Sequence, residues 1–138
     1  VMLDGALGPN AMVDTIEVAG FWPVEPLYRD VRDALAGHAD IVGCHASHPT
    51  AQGTCLYFTL AITTAIDDDD AERRYRGAWD DAMRETLAAG ATITHHHGVG
   101  LLRAPWIEQE LGDALGLWRT IKAALDPAGI MNPGKAGL

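Results

Sequence analysis

The chain has 138 residues, 48% of them hydrophobic, and a formal net charge of −9 from 10 Lys and Arg against 19 Asp and Glu. This length suits one compact domain, and we interpret residues 1–138 as a single domain with its own core. The acidic charge argues against nucleic acid or an anionic membrane as the partner, and no apolar run is long enough for a membrane span. The two cysteines, Cys44 and Cys55, lack metal-type spacing, and we predict reduced core thiols in a cytoplasmic protein.

Hydrophobic periodicity predicts six elements and a last helix. In chain order these are a strand at 13–21, a helix ending near 36, strands at 41–47 and 54–62, a helix at 71–89, a short strand at 91–94 and the last helix at 113–125. Asp70, the fourth of four aspartates, is predicted to cap the second helix. The order predicts an α+β fold, a ferredoxin-like antiparallel sheet (βαββαβ) with the helices on one face, plus a C-terminal helix and tail.

The strand at 54–62 alternates between large apolar residues, which we assign to the core, and residues of mixed polarity on the other face. Tyr57 and Thr59 fall on that other face, and the same alternation in the first strand adds Thr15 and Glu17 to it. A face with a phenol, hydroxyls and a carboxylate predicts a surface that meets something else. Ordinary solvent-facing strand positions are the alternative for Thr15 and Glu17.

Three consecutive histidines, His95, His96 and His97, follow the last short strand and precede Gly98 and Gly100. Imidazole changes its charge near neutral pH, and glycines let a loop approach a ligand closely. An extended chain would direct His95 and His97 to one side and His96 to the other. The alternative is an exposed polar loop, or a histidine tract that binds metal adventitiously.

A zinc site is a further alternative for the histidines. His45 and His48 lie in and after the second strand and could join His95 and His97, since imidazoles from separate strands commonly bind Zn²⁺. No cysteine or carboxylate stands at a ligand spacing, so we assign no metal and keep a His-cluster metal-binding domain as an alternative.

Taken together, four stretches resemble the C-terminal portion of FAD-linked oxidases of the vanillyl-alcohol-oxidase type, and in particular alkyldihydroxyacetonephosphate synthase-like proteins. They are residues 14–17, 44–48 with 53–59, 94–100, and 126–135. The pairing of a Ser-His…Leu-Tyr-Phe hairpin with a His-His-His-Gly-Val-Gly loop is the specific part of the resemblance. The closing Asn-Pro-Gly-Lys is shared across the wider flavin oxidase group.

The resemblance implies a two-domain parent, in which an N-terminal domain binds FAD and a C-terminal cap domain shapes the substrate site. This sequence matches only the cap and tail, has no glycine-rich pyrophosphate-binding segment, and does not begin with methionine. We therefore expect an isolated cap domain that is inactive alone and does not retain FAD, whereas the intact parent is an enzyme. Its expected partners are the FAD-binding domain, a small-molecule substrate and, as a possible homodimer, a second copy.

The resemblance also implies roles for particular residues. Tyr57 and the run His95, His96 and His97 would face flavin and substrate, and Gly98 and Asn132 would contact the cofactor. Both substrate oxidation and non-redox ether-bond synthesis need a proton acceptor near pH 7, which imidazole provides, and a phenol can donate a hydrogen bond or relay a proton. A plain C-terminal turn is the alternative for Asn132, and a stand-alone ferredoxin-like binding domain is the alternative for the whole chain.

Overall fold

A computed structural model describes residue 7 and residues 11–136. The helices and strands, in chain order, are β1 (Met12–Phe21), α1 (Glu25–Ala36), β2 (Ile41–Ser47), β3 (Gly53–Ile62), α2 (Asp68–Ala88), a 3₁₀ turn (Ala104–Trp106), α3 (Ile107–Leu111) and α4 (Ala114–Leu125). The chain divides into two compact units, residues 1–95 and 96–138. Among the described residues, no helix combines the length and apolar character that crossing a membrane requires.

The first unit is built on a three-stranded antiparallel sheet in the order β1-β3-β2. Phe58 in the central strand pairs with Ile16 on one side and Cys44 on the other. Side chains alternate between faces along each strand, so these three residues share a face. The α+β fold with an antiparallel sheet is thereby confirmed.

Both helices cover the same face of this sheet, which we call the helix face. Tyr28 of α1 stacks on Phe58, with 6.1 Å between ring centroids. From α2, the Tyr75 hydroxyl and the Trp79 indole N–H donate to Asp14, at 2.7 and 3.2 Å. The core lies between this face and the helices, and its fully buried side chains include Ile16, Val18, Val31, Leu35, Phe58, Leu60 and Met83.

The predicted fourth strand is reduced to one bridge. Thr92 pairs with Ala19 on the edge of β1 that β3 leaves free, through N–H···O distances of 2.9 and 3.1 Å. Beyond it, the amide of His95 bonds to the side chain of Glu17 instead of the backbone of β1. The Glu17 carboxylate therefore ends the backbone pairing with β1 after a single bridge. The order of the elements along the chain is as predicted.

Helix α2 begins before the predicted position, which corrects the assignment of Asp70 as its cap. Asp67 is the capping residue, and its carboxylate accepts from the Asp70 amide at 2.8 Å. Each member of a run of four aspartates carries a carboxylate that can provide this acceptor, and here the first of the four does so. Capping by Asp67 leaves the Asp70 carboxylate to accept from the Ile66 amide at 3.2 Å.

The second unit ends in α4 and a folded tail. The buried carboxylate of Asp126 pairs with Lys122 and accepts from the amides of Ile130 and Met131, at 3.0 and 2.9 Å. Lys122 and these amides lower the pKa of Asp126, so the carboxylate is charged and holds the tail against the end of the helix. A cavity of about 480 Å³ lies between them, lined by Trp118, Ile121, Leu125, Met131, Asn132 and Lys135 among others.

Candidate functional site

The face of the sheet opposite the helices, which we call the polar face, brings Glu17, His45 and Tyr57 into one row. Tyr57 of the central strand pairs with Glu17 on β1 and with His45 on β2. A one-residue shift in register would send all three to the helix side, so the apolar alternation that buries Phe58 also fixes this row. Glu17 is fully buried and Tyr57 is 8% exposed. The alternative in which Glu17 faces solvent is therefore wrong.

The phenol of Tyr57 lies between two imidazoles. The His45 ring stacks on the Tyr57 ring at 4.7 Å with an interplanar angle of 5°, and the Tyr57 hydroxyl is 3.3 Å from Nδ1 of His48. Burial, together with the neighbouring Cys55 and Glu17, raises the pKa of Tyr57. At neutral pH the residue is therefore a protonated phenol that can donate a hydrogen bond.

His48 occupies a conformation that side chains rarely adopt. It begins the β2–β3 hairpin with a φ of 54°, in the left-handed region that favours glycine. The turn after it is fixed by Thr50, whose hydroxyl oxygen accepts from the amides of Gln52 and Gly53 at 3.2 and 3.1 Å. Strained backbone of this kind clusters at ligand and active sites, and here it sets the imidazole beside the phenol of Tyr57.

Glu17 holds the start of the histidine run. Its two carboxylate oxygens lie 3.0 and 3.1 Å from the His95 amide nitrogen, and the Thr94 hydroxyl is 3.4 Å away. The Cys55 thiol also hydrogen-bonds to Glu17, and burial together with this carboxylate raises the pKa of the thiol. A buried charge needs such donors, because desolvation alone would be costly.

The structure joins only part of the predicted site residues. The His95 ring is 6.3 Å from the His48 ring, centroid to centroid, so His95 belongs with Tyr57 and His48. His96 and His97 lie in the second unit and meet edge to face at 4.7 Å. Residues 95–97 form a series of bends, so the alternation expected of an extended chain does not apply to the three histidines.

The two predicted cofactor contacts both lie in the second unit, at positions of positive φ. Gly98 has a φ of 78°, and its carbonyl accepts from the Arg103 guanidinium at 3.3 Å. Asn132 has a φ of 47°, is exposed, and lines the cavity beside α4. Their role in binding a cofactor stays a prediction.

Sequence reasoning did not select Glu17 and His48 as site residues. Glu17 is a carboxylate flanked by Ile16 and Val18 in a strand, which places it on the face opposite these apolar residues. Alternation alone does not show whether that face contacts solvent or another group. The sequence indicates His48 as an alternative zinc ligand and as part of the Ser-His…Leu-Tyr-Phe hairpin, but not as a site residue. Its proximity to Tyr57 depends on a left-handed backbone conformation, which the sequence does not predict at a residue other than glycine.

Residues 2–136 match the model of a family described as FAD linked oxidases, C-terminal domain. The chain belongs to this family. It is 38% identical over 140 residues to the alkyldihydroxyacetonephosphate synthase of Trypanosoma brucei brucei, covering 96% of this chain and 22% of that protein. It is 31% identical over 129 residues to the uncharacterized FAD-linked oxidoreductase YgcU of Escherichia coli K12, covering 87% of this chain and 27% of that protein.

A further relative and a solved structure also match this chain. The glycolate oxidase subunit GlcD of Bacillus subtilis is 34% identical over 105 residues, covering 73% of this chain and 21% of that protein. A solved structure of an alkyldihydroxyacetonephosphate synthase matches 96% of this chain and 22% of its own with a TM-score of 0.61, and at 21% identity this likeness supports the fold. The chain thus spans about a quarter of the length of these relatives.

Proposed function

We propose that this chain is the substrate-facing cap domain of an FAD-linked oxidase or alkyldihydroxyacetonephosphate synthase-like flavoenzyme. The observation that supports the proposal is the group centred on Tyr57, in which a protonated phenol lies between the rings of His45 and His48 with His95 nearby. Family membership supports FAD as the cofactor of the parent enzyme. The resemblance also implies a role over the flavin for His96 and His97.

The polar face fits a position beside a flavin ring better than a position around its phosphates. It offers a phenol and imidazoles, which donate hydrogen bonds and exchange protons, and it carries the carboxylate of Glu17, which would repel a pyrophosphate. The sequence has no glycine-rich segment to hold that pyrophosphate. The cofactor would therefore be held by the FAD-binding domain, and this chain would cover its reactive ring.

When bound, FAD supplies the electron-transfer or electrophilic chemistry, and the protein supplies orientation and proton transfer. The Tyr57 hydroxyl is suited to donate a hydrogen bond to a substrate oxygen, because its raised pKa keeps it protonated. The imidazoles of His48 and His95 can accept a proton released from substrate carbon, as residues of this type exchange protons near pH 7. Ring stacking on His45 fixes the plane of the phenol, which limits the directions its hydroxyl can take.

A chimeric enzyme tests this proposal. The C-terminal segment of the trypanosomal synthase would be replaced by this chain, which is 38% identical to it, and flavin content and turnover would be measured. We expect bound flavin and measurable turnover in the chimera, and no retained flavin absorbance when this chain is purified and mixed with FAD alone.

Tyr57→Phe in the chimera should lower turnover by about 10²–10⁴-fold with flavin content unchanged, the usual range for a positioned proton-transfer group. Tyr75→Phe is the matched control, since Tyr75 is also a hydrogen-bonded phenol but belongs to α2, which packs on the helix face. Equal turnover of the Tyr57→Phe and unsubstituted chimeras would contradict the proposed site. Flavin retained by the isolated chain would show that cofactor determinants lie within it.

A further inference from the structure

Three different metal-ligand types converge on the polar face. The Glu17 carboxylate, the Cys55 thiol and the His95 imidazole each offer an atom, and these atoms lie within 4.8 Å of one another. Glu17 lies on β1 and Cys55 on β3, two positions from its direct partner Tyr57, so the pair are diagonal neighbours on one face. His95 is brought to them by the bond between its amide and Glu17.

We propose that Glu17, Cys55 and His95 form a binding site for a zinc-type divalent ion. Zn²⁺ is bound in proteins by thiolate, imidazole and carboxylate, almost always in tetrahedral geometry at structural sites. A sulfur ligand disfavours Mg²⁺ and Ca²⁺, which select oxygen donors. The metal site shares His95 with the proposed cap site, and with a metal bound the proton acceptor there would be His48. The metal site goes beyond the proposed function and does not depend on it, because it rests on the geometry of its three side chains.

Charge and burial agree with this assignment. Glu17 is fully buried and Cys55 is 2% exposed, so a carboxylate and a thiol lie together away from water. On binding, the Cys55 sulfur–hydrogen bond breaks, its proton passes to solvent, and the sulfur electron pair forms the bond to the metal. The carboxylate and thiolate then balance the two positive charges of the ion, while His95 remains neutral.

This site differs from a site formed by the four histidines His45, His48, His95 and His97. His45 is stacked on Tyr57, and Nδ1 of His48 lies within hydrogen-bonding distance of the same phenol. The ligands that meet are instead a cysteine and a carboxylate on neighbouring strands, with His95 the one histidine shared by the two sets. Their sequence separation, from 17 to 55 to 95, gives no local spacing motif.

Cobalt titration of the metal-free 138-residue chain tests the proposal. Co²⁺ reports on its ligands, because a bound thiolate adds a sulfur-to-cobalt charge-transfer band in the near ultraviolet. We expect this band to saturate at one equivalent of Co²⁺ and to disappear when Zn²⁺ is added. A chain that shows no saturable thiolate band would overturn the site.

Two matched pairs of variants identify the ligands. Cys55→Ser should abolish the charge-transfer band and weaken Zn²⁺ binding more than about tenfold, since even outer contacts to a metal cost 10–100-fold. Cys44→Ser, the only other cysteine, should leave both unchanged. A band that survives Cys55→Ser, or one that is lost in Cys44→Ser, would contradict the assignment.

His95→Ala covers the case in which Cys55→Ser does not fold, because His95 is exposed and its loss leaves the core intact. We expect weaker Zn²⁺ binding in His95→Ala and unchanged binding in His97→Ala. Equal affinity of His95→Ala and the unsubstituted chain would overturn the site, as would a loss confined to His97→Ala, which would indicate an adventitious histidine tract.

Discussion

Asp14 and Glu17 lie three residues apart on β1 and direct their carboxylates to opposite faces of the sheet. Asp14 accepts from two side chains of α2, Tyr75 and Trp79, and so ties a helix to the sheet. Glu17 accepts from the backbone of His95 and bonds to Cys55, so it fixes the start of a loop. The same strand thus supports packing on one face and positions reactive groups on the other.

Two tyrosines repeat this contrast. Tyr75 donates to the Asp14 carboxylate, whereas the Tyr57 hydroxyl lies beside the His48 imidazole, and imidazole is the side-chain type suited to proton exchange near neutral pH. The pKa of both phenols is raised, with burial as the first cause in each. A raised pKa of a phenol therefore does not by itself distinguish a functional site from a structural contact. The distinction between Tyr57 and Tyr75 rests on the group that each hydroxyl contacts.

The largest effect should come from the helix face. Phe58→Ala removes a fully buried ring at the centre of the core and should lower the free energy of unfolding by about 3–5 kcal/mol. Tyr57→Phe keeps the ring on the adjacent position and should cost far less. Denaturant unfolding of both variants measures the difference, and similar losses would mean that the polar face is packed as a second core.

An intermediate effect is expected at the two carboxylates. Glu17→Gln removes the charge that accepts from the His95 amide and should cost about 1–3 kcal/mol, the usual penalty for weakening a buried hydrogen-bonded group. Hydrogen exchange should accelerate at the His95 amide. Asp14→Asn is the matched control, because it should destabilise the contact with α2 while the exchange rate at His95 stays the same.

If both variants accelerated exchange at the His95 amide equally, the exchange rate would depend on the stability of the whole fold and not on the hydrogen bond to Glu17. The two carboxylates would then affect the stability of the fold in the same way, although their hydrogen-bond partners differ.

The smallest effect should appear at alkaline pH. Burial and the Asp14 carboxylate raise the pKa of Tyr75 from 10.0 to about 12. Because the folded state holds the phenol proton more tightly, this contribution to stability is complete below pH 10 and is lost as pH rises towards 12. Tyr75 is partly exposed, so solvent screens the interaction and the loss should be modest.

Unfolding measured across this pH range would show the decline, and Tyr75→Phe should flatten it. An equal decline in Tyr75→Phe would assign the pH dependence to another group.

The sequence predicts the sheet well because alternation is local. The large apolar residues of β3 identify the face that packs against the helices, and the position of Tyr57 on the other face follows without further information. The burial of Glu17 could not be predicted in this way, since its partner His95 stands 78 positions later in the chain. The sequence predicts a loop at the three histidines but not the position of that loop, because the distant side chain of Glu17 accepts the His95 amide.

The bond between Glu17 and His95 also has a consequence for how the molecule forms. A hydrogen bond that links residues 78 positions apart closes a long stretch of chain, and contacts of this kind form late because their loop-closure entropy must first be offset by nearer contacts. We therefore expect the His95 end of the loop to acquire its position after β1 has paired with β3, whose partners are nearer in the chain. A partially folded chain would contain most of its secondary structure and still lack the arrangement of groups around Tyr57.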